Sequence, residues 1–92
     1  MPYEWLLPAF GVLAKRGIEP YEVLQVLYSI RRRPVLVRHP RGMMLLSIWG
    51  STRAGRALVV MVRPAGGFDH QILGAREMTD DERREYDQWL ST

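Results

Sequence analysis

The chain has 92 residues, 47% of them apolar and 25% charged, with a net charge of +3 and no cysteine. That composition suits one small domain spanning residues 1–92 and excludes disulfide frameworks and thiolate chemistry. No stretch approaches the roughly 18 apolar residues of a membrane span, and Met1-Pro2-Tyr3-Glu4 lacks a basic leader region, so a cytoplasmic protein is expected.

The first predicted helix runs from about Leu7 to Arg16, with Pro8 in its first turn and Leu6, Ala9, Phe10 and Leu13 as its apolar stripe. Gly17 is the expected left-handed residue after it, and Ile18 is placed to touch Leu13 in a Schellman arrangement. Pro20 opens a second helix to about Ser29, with Val23, Leu24, Leu27 and Ile30 on its stripe. Arg31-Arg32-Arg33-Pro34 then stops it. Three cations there complement the helix dipole, and the same run is a candidate RNA contact.

Four strands are predicted next: Val35–Arg38, Met43–Trp49, Arg56–Arg63 and Phe68–Ala75. His39-Pro40-Arg41-Gly42 has the residues of a type I turn. The third strand is apolar on both faces, as a covered central strand should be. The short connections imply an antiparallel meander. Thr79-Asp80-Asp81-Glu82 is a capping box that starts the last helix, with Tyr86, Trp89 and Leu90 as its stripe. Period-2 alternation sets Arg76 on one face with His70, Ile72 and Gly74. The expected fold is α+β in the order αα-ββββ-α.

Charge is unevenly spread. Residues 1–30 carry −1, residues 31–76 carry +8 and residues 77–92 carry −4, and twelve of the thirteen basic residues are Arg. The +8 segment implies a basic face for a polyanion, most simply RNA. The candidate contacts are Arg31, Arg32, Arg33, Arg38, Arg41, Arg53 and Arg63. A GC-rich coding sequence accounts for the Arg excess equally well. The inventory for metals is poor. His39 and His70 lie far apart, and helix capping explains Asp80, Asp81 and Glu82 better than Mg²⁺ does. No metal or other cofactor is expected.

Three segments resemble one family. KRGIEPYEVLQVL (Lys15–Leu27) resembles the KHGVSFEEA..VF segment of BrnT-like toxins, which have a RelE-like fold. GRALVVMV (Gly55–Val62) is similar to their central strand, and ILGAREMTDDERREY (Ile72–Tyr86) to their RIISAR..T..ER..Y segment. The resemblance covers about residues 5–90 in consistent order. It implies a metal-independent ribonuclease toxin of a type II toxin–antitoxin system. It further implies a small DNA-binding antitoxin, of ribbon-helix-helix type, as partner, and a dimer or a heteromer with that antitoxin.

Carried over by position, Arg56, Arg76, Glu82, Arg83 and Tyr86 match the family's pattern. Three positions depart from it: Gln71 stands for an Arg, Gly74 for a Ser and Arg16 for a His. Cleavage without metal needs a base for the 2′-OH, cations on the phosphorane and an acid for the leaving oxygen. Arg76 and Arg83 are assigned to the phosphorane and Arg56 to phosphate positioning. Tyr86, Glu82 and His70 are the acid and base candidates, each with a plainer role as core, cap or strand residue. His70 or Arg63 is the candidate replacement for the charge missing at Gln71. The alternatives are a non-catalytic relative that binds an antitoxin-like partner or nucleic acid, and a structural domain that associates through Pro2–Leu7.

Overall fold

Two prolines open the first two helices, α1 (Pro8–Lys15) and α2 (Pro20–Leu27), where a missing N–H costs nothing. Gly17 ends α1 at φ 64°. The amides of Gly17 and Ile18 donate to the carbonyls of Ala14 and Leu13 at 3.2 and 3.0 Å. This is the Schellman motif, and Leu13 and Ile18 are buried in the same core cluster. The carboxylate of Glu22 accepts from the Glu19 amide at 2.9 Å and so caps α2. α2 stops two residues before the expected end. Its buried stripe is Val23, Val26 and Leu27, whereas Ile30 is 94% exposed and belongs to no core.

The computed structural model describes residues 3–67 and 69–92. Within them the chain is α+β, with three helices and one five-stranded mixed sheet. A strand that the sequence reading lacks, β1 (Tyr3–Trp5), precedes α1. After α2 come β2 (Arg33–Arg38), β3 (Met44–Ser51), β4 (Ala57–Pro64), β5 (His70–Glu77) and α3 (Asp80–Leu90). The sheet order is β1-β5-β4-β3-β2. Strands β2 to β5 form the expected antiparallel meander, while β1 pairs with β5 in parallel. The segment proposed as an exposed interface, Pro2–Leu7, is thus largely used within the chain. Tyr3 and Trp5 pack against the core and Trp5 stacks on Phe10 with ring centroids 4.8 Å apart; Leu7 is 79% exposed. Pro2 and Phe68, the expected first residue of the fourth strand, lie outside the described residues.

The sheet is covered on both sides. Leu13, Ile18, Val23, Val26 and Leu27 from the α1/α2 side meet Ile48, Leu58, Val60, Val62, Ile72 and Ala75. On the other face Trp49 and Val59 pack with Tyr86 of α3, joined by the partly buried Val35, Met61, Met78 and Trp89. β4 is therefore the doubly covered strand that its sequence announces. α3 is held more lightly, since Tyr86 is its one buried residue and Leu90 stays 37% exposed. Among the described residues no helix is long and apolar enough to cross a membrane.

One irregularity sets the candidate site. Val62 pairs with Ile72 but Met61 pairs with Gly74, so Leu73 is an extra residue in β5. A bulge of this kind breaks the alternation of faces. Ile72 and Ala75 consequently both join the α1/α2-side core, and Arg76 is turned to the α3 face, beside Val59. The expectation that Arg76 shares a face with Ile72 and His70 fails because strict alternation does not survive the bulge.

Candidate functional site

The β5–α3 junction is built as the capping box predicts. The Thr79 hydroxyl accepts from the Glu82 amide at 3.2 Å, and the Glu82 carboxylate accepts from the Thr79 amide at 2.8 Å. That same carboxylate receives Arg76: Nη1 and Nη2 donate to Oε1 and Oε2 at 2.6 and 2.8 Å. Nη1 also donates to the Glu77 carbonyl at 3.2 Å. A guanidinium has five N–H groups, so Arg76 keeps two for a ligand, on Nε and Nη2. The paired guanidinium holds the Glu82 carboxyl at about 2, far below its ordinary value, and the cap reinforces this. Glu82 in turn raises the pKa of Arg76 further above its usual value.

Those partners reassign several residues. Glu82, ionised at every working pH and fully engaged, is neither a proton donor nor an effective base. Tyr86 is 2% exposed, and its hydroxyl donates to the Arg31 carbonyl at 2.8 Å. Burial raises its pKa, so a phenolate base is disfavoured. His70 sits at the opposite end of β5 from Arg76 and against Tyr3, with ring centroids 6.1 Å apart. Arg76 lies six steps along the strand from His70, about 20 Å of extended chain, too far for both to serve one phosphate.

Arg56 is a structural tie. It donates to the Gly17 carbonyl at 2.9 Å and to Glu22 at 3.1 Å through Nη1, and to Glu77 at 3.2 Å through Nε. It thereby joins the end of α1, the start of α2 and the end of β5, and both acids raise its pKa. Phosphate positioning is not what this geometry provides.

Arg83 lies 3.6 Å from Asp87 along an exposed helix face, a weak pairing that leaves it available. Arg76, Arg83 and Tyr86 have separate partners. Arg76 faces Glu82 and Tyr86 faces Arg31. Arg83 stays beside the Arg76 pair only through its neighbour Glu82. Arg84 pairs with Asp81 at the surface.

The expected basic face divides into two ends of the sheet. Arg31, Arg32, Arg33 and Arg53 stand at the end where α2 and α3 finish. Arg38, Arg41 and Arg63 stand at the other end, about 17 Å away along a six-residue strand. Arg33 is partly spent, since it pairs with Glu85 at 2.8 Å and lies 5.2 Å from the Trp49 ring centre. Arg32 donates to the Ser29 carbonyl. Arg63 sits directly across from Gln71 and donates to it at 2.8 Å. A cation therefore stands one strand over from the position where the resemblance implies one.

Sequence reasoning missed a shallow apolar groove of about 250 Å³ beside Arg76. Its walls include Val12, Leu45, Met61 and Gly74, with Arg16 and Arg76 as its cations. Its only sequence signal is Gly74, whose missing side chain lets α1 approach β5. A Cβ there would lie 3.0 Å from Val12 Cγ1. Among the described residues no three His, Cys, Asp or Glu side chains are grouped to hold a metal. Compared with known protein families and with curated proteins, the sequence matches none.

Proposed function

We propose that the chain is a ribonuclease toxin of a type II toxin–antitoxin system, BrnT-like with a RelE-like fold, that cleaves RNA without a metal and is neutralised by a small DNA-binding antitoxin. The observation that carries this reading is Arg76, held rigidly by Glu82 at the strand-to-helix junction with two N–H groups to spare. Arg83 stands next to that pair in sequence, and the apolar groove opens beside it. The order of the meander and the three similar segments support the same reading.

The chemistry assigned is electrostatic. The 2′-oxygen attacks the neighbouring phosphorus, the phosphorane gains negative charge, and the 5′-oxygen leaves. Arg76 and Arg83 stabilise the charge that develops, which is often the largest single catalytic contribution. With Glu82 and Tyr86 committed elsewhere and His70 at the far end of β5, water and hydroxide serve as acid and base. The rate is then expected to be modest and to climb with pH rather than pass through a maximum.

The same commitments favour a second reading, a non-catalytic relative that binds RNA or an antitoxin-like partner. Expression without a partner, together with incubation of purified protein and RNA in EDTA, separates the two. Growth arrest and EDTA-insensitive cleavage, both lost in Arg76→Ala and Arg83→Ala proteins that still fold, support the toxin. Harmless expression with salt-dependent RNA binding and intact RNA supports the binder. An adjacent reading frame for a small ribbon-helix-helix protein supports the antitoxin.

A further inference from the structure

A larger cleft lies away from the Arg76 groove, where α2, α3 and the β3–β4 loop meet. It encloses about 700 Å³, within the roughly 300–1,000 Å³ of small-molecule sites. Arg31 and Arg53 stand on its walls, and no carboxylate lines it. Unlike Arg33, Arg56 and Arg76, neither guanidinium has a partner among the described residues. Their backbones are nevertheless pinned. The Arg31 amide donates to Ser29 Oγ at 3.1 Å, and the Arg53 amide donates to Gln25 Oε1 at 3.0 Å. The second bond ties the β3–β4 loop to α2 across the cleft. Tyr86 fixes Arg31 from below through its carbonyl. Tyr28 stands at the rim, 48% exposed, with its ring set nearly perpendicular to that of Tyr3 at 6.0 Å between centroids and the rest of its surface open.

A cation such as Arg31 just past the end of α2, with Arg53 brought near it by the β3–β4 loop, has an ordinary explanation, compensation of the dipoles. The magnitudes decide against that as the whole account. The ends of α2 and α3 bring about half a negative charge each. Two guanidinium groups leave a net of about one positive charge among the described residues that line the cleft.

We propose that this cleft is a nucleotide site, with the phosphate held between Arg31 and Arg53 and the base laid on Tyr28. Paired arginines suit a phosphate because each fork can give two parallel hydrogen bonds. The aromatic ring suits any base through its face. The phosphate comes either from a free mononucleotide or from a nucleotide of an RNA strand, and the chemistry at the cleft is the same. Binding is read without turnover, so failure of the cleavage reading leaves this site untouched.

The test is a titration of the full chain with uridine monophosphate, inorganic phosphate and a 5′-phosphorylated uridine trinucleotide, followed by amide chemical shifts. The expected result is saturable shifts confined to residues 25–31, 51–53 and the end of α3. Arg31→Gln and Arg53→Gln should each weaken binding about tenfold, the loss of one charge-assisted contact. Both variants keep the backbone bonds to Ser29, Gln25 and Tyr86. Arg84→Gln, the same charge change on the outer face of α3, should change affinity less than twofold. Tyr28→Ala should bring uridine monophosphate down to the affinity of inorganic phosphate. Tighter binding of the trinucleotide identifies an RNA strand as the source, and equal binding a free nucleotide. Absence of saturable shifts overturns the proposal, as does equal weakening by Arg84→Gln and Arg53→Gln. Inorganic phosphate binding as tightly as uridine monophosphate to the unaltered chain overturns the nucleotide assignment.

Discussion

Arg76 grips Glu82 with two nitrogens at 2.6 and 2.8 Å while Glu82 also caps the Thr79 amide at 2.8 Å. One carboxylate thus fastens β5 to α3 and starts α3. Glu22 does the same for α2, capping Glu19 and receiving Arg56. Both glutamates occupy the third helical position, so one local motif serves twice to join a helix to the sheet.

Acid should loosen the first of these joints. Glu82 titrates near 4.5 when unfolded and about 2 when folded. A depressed carboxyl contributes its full stability above pH 4.5 and loses it as pH falls from there toward 2. With Arg76 39% exposed, screening reduces the contribution to on the order of 1–2 kcal/mol. Glu82→Gln preserves a competent capping residue but removes the charge. Urea denaturation from pH 7 to pH 2.5 should therefore show a shallower pH dependence in the variant. Parallel curves for the two proteins would mean that the pair contributes nothing.

Arg56 gives a prediction that opposes its inferred catalytic role. Glu22 is 9% exposed, and removing Arg56 leaves that carboxylate buried without its cation. Arg56→Met should destabilise the fold by roughly 2–4 kcal/mol, and Arg56→Met with Glu22→Met should recover part of the loss. Thermal denaturation of both variants checks this. An Arg56→Met protein as stable as the parent but unable to act on RNA would restore Arg56 to the site.

Much of the architecture is legible in the residues because it is encoded locally. Pro8 and Pro20 mark two helix starts, Gly17 and Ile18 a helix end, Thr79 and Glu82 a capping box, and the apolar run of β4 its central place. What escapes depends on partners distant in sequence. Tyr3-Glu4-Trp5 is too short to display alternation and becomes a strand only beside β5. Ile30 continues a helical stripe in sequence, yet α2 has already stopped. The bulge at Leu73 reverses the faces after it, and nothing in QILGAR apart from Gly74 signals it. The site suffers most, because Arg56 and Arg76 in sequence show their charge but not the acids that occupy it.

The two close helix–sheet approaches should respond differently to an added methyl group. At Gly50 a Cβ would lie 3.0 Å from Val26 Cγ1 and 3.8 Å from Val26 Cα, and Val26 is completely buried. At Gly74 the neighbour is Val12, 39% exposed on the short helix α1, which can shift outward more easily than a buried contact. Gly50→Ala should cost about 1–3 kcal/mol through overpacking. Gly74→Ala should be near neutral, since a smaller strain is offset by about 0.4–1 kcal/mol of lost unfolded-state entropy. Urea midpoints measure both, and a Gly74→Ala protein less stable than Gly50→Ala would contradict the packing described.

Tyr86 separates structure from chemistry most directly. Its hydroxyl has one partner, the Arg31 carbonyl at 2.8 Å, and its ring stacks on Trp89 with centroids 5.9 Å apart. Tyr86→Phe keeps the ring and removes one hydrogen bond, a loss of about 1 kcal/mol. For a domain of this size that lowers Tm by roughly 4–8 °C. Because burial opposes ionisation of the phenol, the proposed cleavage should proceed in Tyr86→Phe within twofold of the parent rate at temperatures where both are folded. Its pH profile should also be unchanged from pH 6 to 9. A general acid or base typically contributes about 10²–10⁴-fold, so a loss of that size with the fold retained would place Tyr86 in the reaction and require it to leave Arg31 when RNA binds.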